Sequence, residues 1–132
     1  DPEMSRGLGD AYKRQQYECI KKLAEQESCI IVGRCADYAL KDMPGLVSVF
    51  ISADMDFKIK RVIEMYGCDE VKAKDIINKT NKKRASYYNF YSNKKWADSR
   101  SYNLCINSSV VGIENAADLI IQFMNLKLNK KD

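Results

Sequence analysis

Residues 46–53 read LVSVFISA, an almost continuous apolar run, and this stretch decides the fold. A turn signal, Pro44-Gly45, precedes it, and either Ser52 or Asp54 can cap a helix that follows it. Runs of this kind, rich in β-branched residues, are typical of strands that are buried on both faces of a sheet. The stretch therefore predicts a buried strand that leads directly into a helix.

Two further segments have the same character: SCIIVG at residues 28–33 and YNLCIN at residues 102–107. Buried strands that alternate with helices predict an α/β fold, a three-layer parallel sheet with flanking helices. Apolar residues recur at helical spacing in four places: residues 10–26, the segment after Asp54, the segment after Asp69, and the segment from Ile113 onward.

Ligands of open parallel sheets bind where the strands end. The carboxyl ends of the three predicted strands are followed by Gly33 to Asp37, by Ser52 to Asp54, and by Asn107 to Ser109. We therefore expect the functional site to be built from these three loops.

Length and composition bound the domain count and the chemistry. A chain of 132 residues predicts a single domain, residues 1–132. No apolar run is long enough to cross a membrane and no signal-peptide pattern opens the chain, so a cytoplasmic protein is the default expectation. The absence of histidine excludes Ser-His-Asp and Cys-His catalysis, and five irregularly spaced cysteines argue against a disulfide framework or a zinc site.

Positive charge is concentrated in one segment. Residues 79–100 carry seven cations and one anion, a local charge of +6, so the other 110 residues sum to −2. Within it, NKKRASYYNFYSNKKW at residues 81–96 interleaves basic and aromatic side chains. Single-stranded nucleic acid is bound by such a mixture, because rings stack on bases and cations follow phosphates. A kinase lid that closes on nucleotide phosphates needs the same residue types.

Helical phasing distinguishes the two interpretations. At about 100° per residue, a helix over residues 74–91 groups Arg84 with Ile77 and with Tyr87, Tyr88 and Tyr91, while most lysines lie elsewhere. One guanidinium beside phenol rings suits a single phosphoryl group better than a continuous nucleic-acid backbone. Nucleic acid is therefore the less favoured partner.

The order of these segments resembles the cytidylate kinase-like family of P-loop nucleotide kinases. The resemblance covers most of the chain from Asp10 onward, and its most specific part begins at Lys83. The matching stretches are SCIIVGRCADYAL (28–40), VFISADMDFKIKRV (49–62), KRASYYNFYSNKKWADSRSYNLCINSS (83–109) and GIENAADLI (112–120).

The resemblance implies a role for six residues. Arg34 would hold an acceptor nucleoside monophosphate, and Asp37 would accept hydrogen bonds from its base or sugar. Tyr88 and Lys95 are further candidates for contact with the substrate. Arg84 and Arg61 would be catalytic, because guanidinium groups stay charged and grip phosphate in a bidentate manner.

The implied activity is that of a nucleoside monophosphate kinase. It would transfer the γ-phosphoryl group of magnesium-bound ATP to CMP or a related pyrimidine monophosphate, with a lid at about residues 69–100. Phosphoryl transfer depends mainly on positioning and on charge neutralisation, so a chain without histidine can perform it. No residue of the chain is predicted to bind a metal.

The chain departs from the family at its phosphate loop. None of the six glycines opens a GxxxxGK[ST] motif, and the family has that loop upstream of the helix with which this chain begins. We therefore expect an N-terminal segment of the same protein to supply the loop, a sheet that is incomplete without that segment's strand, and a chain that is inactive alone. The alternative functions are a single-stranded nucleic-acid-binding module and a non-catalytic nucleotide-binding regulator.

Two smaller departures concern the base. The family usually carries aspartate three residues before the lid arginine, where this chain has Asn81, and true bacterial cytidylate kinases carry aspartate after the Gly-Arg pair, where this chain has Cys35. Each difference removes a negative charge, so the sequence leaves the acceptor base open.

Overall fold

The structure, a computed structural model, describes residues 2–131, except for the side chains of residues 2–8 and 10. Helices and short parallel strands alternate along the chain. The elements are α1 (Pro2–Gln26), α2 (Ala36–Ala39), β1 (Val49–Ser52), α3 (Met55–Tyr66), α4 (Glu70–Ser92), a 3-10 helix (Ser99–Ser101), β2 (Leu104–Asn107), α5 (Ser108–Val111) and α6 (Ile113–Leu128).

The chain divides into two compact units, Asp1–Leu46 and Val47–Asp132. In the first unit, α1 packs against α2. Its core consists of Ile20, Ala36, Ala39 and Leu40. The single domain predicted from chain length stays a prediction, since this division alone does not decide it.

The second unit is built on β1 and β2, which pair in parallel from Val49 with Leu104 to Ser52 with Asn107. Asn103 fixes the beginning of the pair. Its side-chain oxygen accepts a hydrogen bond from the Ser48 N–H at 3.0 Å, and its own N–H donates to the Ser48 carbonyl at 3.0 Å. These hydrogen bonds join the residues that directly precede β1 and β2, and so they fix the register of the strand pair.

Four aromatic side chains connect the end of α4 to the sheet. The Phe50 ring on β1 lies 5.2 Å from the Trp96 ring in a T-shaped contact and 5.0 Å from the Tyr102 ring. Tyr88, near the end of α4, stacks on Tyr102 with 5.8 Å between ring centroids. Such pairs contribute about 0.5–1.5 kcal/mol each beyond the area they bury. Trp96 thus anchors the segment after α4 to the sheet.

The beginning of α4 packs on α3. Ile59 of α3 and Ala73 and Ile77 of α4 form one buried cluster. Gly67 ends α3 with a φ of 65°, a left-handed conformation that glycine adopts at little cost, and Asp69 caps α4 by accepting a hydrogen bond from the Lys72 N–H at 2.8 Å. Both boundaries coincide with residue types that typically end and start helices.

The α/β class, with parallel strands and flanking helices, is confirmed, but the predicted strand at residues 28–33 is wrong. The segment after Gln26 is extended, yet the only sheet among the described residues is the β1–β2 pair. Ile30 is 94% exposed and Val32 is 88% exposed, although their sequence pattern is that of a buried strand. An apolar run becomes a strand only beside a partner backbone, and the described residues offer none to it. The full three-layer sheet is therefore not observed.

Among the described residues, no helix is both long enough and apolar enough to cross a bilayer. This agrees with the charge carried by α1 and α4, the two longest helices.

The aromatic connection predicts a measurable cost for removing Trp96. Replacing Trp96 with Ala deletes the T-shaped contact with Phe50, and we expect a loss of about 2–3 kcal/mol in the free energy of unfolding, measured by urea denaturation. Phe90→Ala is the matched control, because Phe90 is half exposed and contacts Tyr91 on its own helix. Equal losses in the two variants would contradict an anchoring role for Trp96.

Candidate functional site

The loops that follow β1 and β2 are joined by hydrogen bonds. The Asn107 side-chain amide donates to the Asp54 carboxylate at 2.9 Å, and the Asp54 N–H donates to the Ser109 hydroxyl oxygen at 2.9 Å. The Ser109 hydroxyl donates to the Asn107 side-chain oxygen, which also accepts from the Ser109 N–H at 3.0 Å. We call Asp54, Asn107 and Ser109 the strand-end network. It connects the start of α3 to the start of α5.

A groove is lined by side chains of α3 and by the first residue of α6. It is open to solvent and has a volume of about 450 Å³. Its lining is Phe57, Arg61, Glu64, Met65 and Ile113. Four of these belong to successive turns of α3, and the fifth is the first residue of α6.

The groove combines apolar walls with one guanidinium. The Arg61 guanidinium lies 5.9 Å from the centre of the Phe57 ring, within the range of a cation–π contact. Ile113, a large apolar residue, is 52% exposed at the opposite wall. A guanidinium and exposed apolar side chains can together contact a planar aromatic ring, and Glu64 adds a carboxylate to the lining.

Gly112 places Ile113 at this wall. Its φ of 87° and ψ of 161° lie in a backbone region that is essentially restricted to glycine. The chain turns there from α5 directly into α6.

Two of the cations in the basic segment are paired with carboxylates. Lys79 pairs with Asp75 at 3.0 Å on α4, and Arg100 pairs with Asp98 at 2.8 Å beyond it. Hydrogen bonds from Arg100 hold the pKa of the Asp98 carboxyl well below its usual range. Within the described residues, no ion pair engages the remaining cations, which are Lys82, Lys83, Arg84, Lys94 and Lys95.

Arg84 occupies the middle of α4, between the part that packs on α3 and the part that packs on Tyr102. The side chains of Lys82, Lys83 and Arg84 are all exposed. Arg84 lies eight residues before the end of the helix, so about 12 Å of helix separates it from Lys94 and Lys95 in the following loop. The unpaired charge thus forms two groups.

Tyr88 is buried, whereas Lys95 is exposed. Tyr88 is 6% exposed and its ring packs on Tyr102, which favours a packing role over stacking on a base. Lys95 is exposed, and its backbone carbonyl accepts a hydrogen bond from the Ser101 hydroxyl at 2.8 Å.

Arg34 lies in the first unit at the turn before α2, and Asp37 lies in the first turn of α2. Arg34 and Cys35 both have positive φ, 61° and 54°, in sequence after Gly33 at 72°. Two non-glycine residues in the left-handed region are uncommon, and such strain is often found at functional sites. Arg34 is exposed and Asp37 is half-buried, whereas Cys35 is buried.

Burial also determines the ionisation of Cys35. Removal from water raises the pKa of the Cys35 thiol to about 11, and the negative charge of Asp37 adds to the shift while Lys13 opposes it. In the described part of the chain, no group of three or more acidic or cysteine side chains is arranged to hold a metal ion.

The sequence profile of the cytidylate kinase-like family matches residues 3–110. The chain belongs to the cytidylate kinase-like family. The residues that line the groove on α3 and those of the basic helix α4 all fall inside the matched range, and Ile113 lies just beyond it.

A solved structure supports the same assignment of fold. The chain is similar to an uncharacterized protein from Eubacterium ventriosum ATCC 27560, with a TM-score of 0.83 and 43% sequence identity over 86% of this chain. The chain spans 64% of the length of that relative. No match was found among curated proteins.

Sequence reasoning found some of the site and missed the groove. It placed Asp54, Asn107 and Ser109 at strand ends, where the strand-end network lies. It assigned Phe57 and Ile113 to core faces because apolar residues at helical spacing are usually buried. The signal that could have found Ile113 is the glycine before it, since Gly112 separates α5 from α6.

The reactivity of the Cys35 thiol tests whether this side chain, which follows Arg34 in the turn, is buried. We expect iodoacetamide at pH 8.5 to modify Cys35 far more slowly than the exposed Cys19, Cys29 and Cys105, because thiolate is the reacting form and the folded Cys35 stays protonated. Mass spectrometry of tryptic peptides measures the modification, and equal rates at all four cysteines would contradict a buried Cys35.

The raised pKa of the Cys35 thiol also affects stability. Because an unfolded thiol ionises near pH 9, the native state should lose stability as the pH rises from about 9 to about 11.

Proposed function

We propose that residues 1–132 form the acceptor-binding and lid portion of a nucleoside monophosphate kinase. The observation that carries the proposal is the groove lined by Phe57, Arg61 and Ile113, which lie on helices that follow β1 and β2 in the chain. In this proposal the groove takes the base of magnesium-bound ATP. Membership of the cytidylate kinase-like family supports the proposal.

Arg61 has a different task here from the one that its sequence position suggests. The sequence resemblance implies that Arg61 neutralises the migrating phosphoryl group. Its position over the Phe57 ring, inside an apolar groove, instead favours stacking on a planar base. We therefore propose that Arg61 binds the base and contributes to ATP affinity.

Arg84 is the proposed catalytic cation. It is exposed, it stands next to Lys82 and Lys83, and no carboxylate of the described chain neutralises it. An unpaired guanidinium on a helix that is packed at both ends is preorganised, so it can stabilise developing negative charge with little reorganisation. Lys95 would contact phosphate from the loop after α4.

The acceptor is proposed to be CMP or a related pyrimidine monophosphate. Arg34 would bind its phosphate, and Asp37 would accept hydrogen bonds from its base or sugar. The exposed Arg34 side chain on a strained turn is the observation that supports this part.

The phosphates of ATP need a further element, which we propose lies outside residues 1–132. A strand that carries a glycine-rich loop would pair with exposed backbone and cover apolar side chains that now face solvent. Ile30 and Val32 in the extended segment are such side chains. The magnesium ion would arrive with ATP as part of the substrate.

The nucleic-acid alternative receives less support. The aromatic side chains of residues 87–91 pack on one another, with 4.8 Å between the Tyr87 and Tyr91 rings and 4.8 Å between the Phe90 and Tyr91 rings. Stacking on successive bases needs ring faces that are free and spaced along a groove. A non-catalytic nucleotide-binding regulator would bind nucleotides in the same groove, and the activity measurement separates it from a kinase.

Arg84 gives the test of catalysis. With the natural full-length protein, ATP, Mg²⁺ and CMP, we expect Arg84→Ala to lower kcat by about 100-fold with a smaller change in KM, because its charge acts mainly in the transition state. ADP formation in a coupled assay provides the measurement. Lys79→Ala is the matched control, since Lys79 is already paired with Asp75 on the same helix and should leave kcat unchanged. Absence of CMP-dependent ADP formation in the wild-type protein would overturn the kinase proposal.

Arg61 gives a separate test of the groove. Arg61→Ala should raise the KM for ATP by about tenfold and leave the KM for the acceptor unchanged, because it removes one face of the base site. Lys60→Ala, an exposed neighbour outside the groove lining, serves as the control. A fall in kcat with unchanged KM for ATP would instead indicate that Arg61 acts on the phosphoryl group, as the sequence resemblance implies.

A further inference from the structure

The groove has two walls that are distant in sequence. Phe57 and Arg61 are carried by α3, whose start follows β1, whereas Ile113 is carried by α6, which follows β2 and α5. The width of the groove therefore depends on how the start of α3 is held against the start of α5. Backbone pairing of the strands ends at Ser52 and Asn107, before either helix begins.

Asn107 is the residue that bridges this gap. Its amide N–H donates to the Asp54 carboxylate, and Asp54 immediately precedes α3. Its side-chain oxygen accepts from the Ser109 N–H and hydroxyl, and so caps α5. One side chain thus holds one element by its donor and the other by its acceptor.

The surrounding contacts strengthen the bridge. The Ser108 hydroxyl donates to the Ser52 carbonyl at 3.0 Å, and the Ser109 hydroxyl oxygen accepts from the Asp54 N–H. Because each group is satisfied by another, movement of α3 relative to α5 would break several hydrogen bonds together.

We propose that Asn107 is a positioning residue for nucleotide binding, which sets the spacing between Arg61 and Ile113 without touching the ligand. The inference rests on the proposed function, in which the groove binds the base of ATP. Neither the sequence resemblance nor the site prediction assigned Asn107 such a role.

The chain supplies a matched control in Asn103. It lies at the opposite end of β2, where its side chain also joins β1 to a neighbouring element, accepting from the Ser48 N–H at 3.0 Å and from the Lys127 ammonium at 3.1 Å. Asn103→Ala therefore removes comparable inter-element hydrogen bonds far from the groove. A purely structural role for Asn107 predicts similar consequences for both variants.

The experiment compares four variants of the natural full-length protein: Asn107→Ala, Asn107→Asp, Asn103→Ala and Arg61→Ala. Asp is a good helix cap, so Asn107→Asp keeps the acceptor for α5 while it loses the amide donor to Asp54. Calorimetric titration with ATP gives Kd, urea denaturation gives stability, and hydrogen exchange of the uncomplexed protein reports on the amides of α3 and α6.

We expect both Asn107 variants to raise the Kd for ATP about fivefold to tenfold, as loss of one or two hydrogen bonds allows. Asn103→Ala should change Kd by less than about twofold despite a similar loss of stability. Hydrogen exchange near the starts of α3 and α6 should accelerate in the Asn107 variants alone. An equal effect of Asn103→Ala, or a wild-type Kd in Asn107→Asp, would overturn the inference.

A failure of the proposed function has a different signature. If the wild-type protein binds no ATP, or if Arg61→Ala binds ATP as well as the wild-type protein does, the groove is not the base site and the positioning role in ATP binding falls with it. If Arg61→Ala weakens binding while the Asn107 variants do not, the groove stands and only the inference about Asn107 is overturned. The hydrogen-exchange measurement then shows whether the strand-end network holds α3 at all.

Discussion

Parallel pairing of β1 with β2 is the constraint on which the second unit depends. Parallel strands in register end at the same edge of the sheet, so the helices that follow them begin side by side. This is why Arg61 and Ile113, which are far apart in the chain, line one groove. The pair is only four residues long in each strand, and side chains at both ends reinforce it. Asn103 fixes its beginning, and Asn107 ties together the loops that leave it.

The basic helix α4 is held in the second unit by two separate contacts. Ala73 and Ile77 pack on α3, and Tyr88 packs on Tyr102 beside β2. The middle of the helix is left exposed, and the unpaired cations Lys82, Lys83 and Arg84 lie there. Apolar packing at both ends with charge between them gives a helix that is fixed in place yet presents its cations to solvent. That arrangement matches the needs of phosphoryl transfer, which depends on fixed positive charge.

Much of the fold follows from local patterns in the sequence. The bounds of α3 and α4 were predictable because Gly67 and Asp69 are strong helix stop and start signals. The state of residues 28–33 was not, because a strand requires a partner backbone and no local pattern reports whether that partner is present. Ile30 and Val32 have the sequence of a buried strand and the exposure of a loop.

The candidate site was only partly predictable, for similar reasons. Loops at strand ends identified Asp54 and Asn107, since topology alone brings them together. Helical periodicity gave Ile113 a core position, whereas an α5–α6 turn at Gly112 places it on a groove wall. The phasing that grouped Tyr88 with Arg84 was consistent with the helix, but it carried no information about Tyr102, which covers the Tyr88 ring.

A structure of the natural full-length protein with a non-hydrolysable ATP analogue and CMP tests the proposed binding of ATP in the groove most directly. We predict that the adenine ring lies between Arg61 and Ile113, within about 4 Å of both side chains. A base bound elsewhere, or a groove filled by another segment of the protein, would contradict the assignment of this groove to ATP.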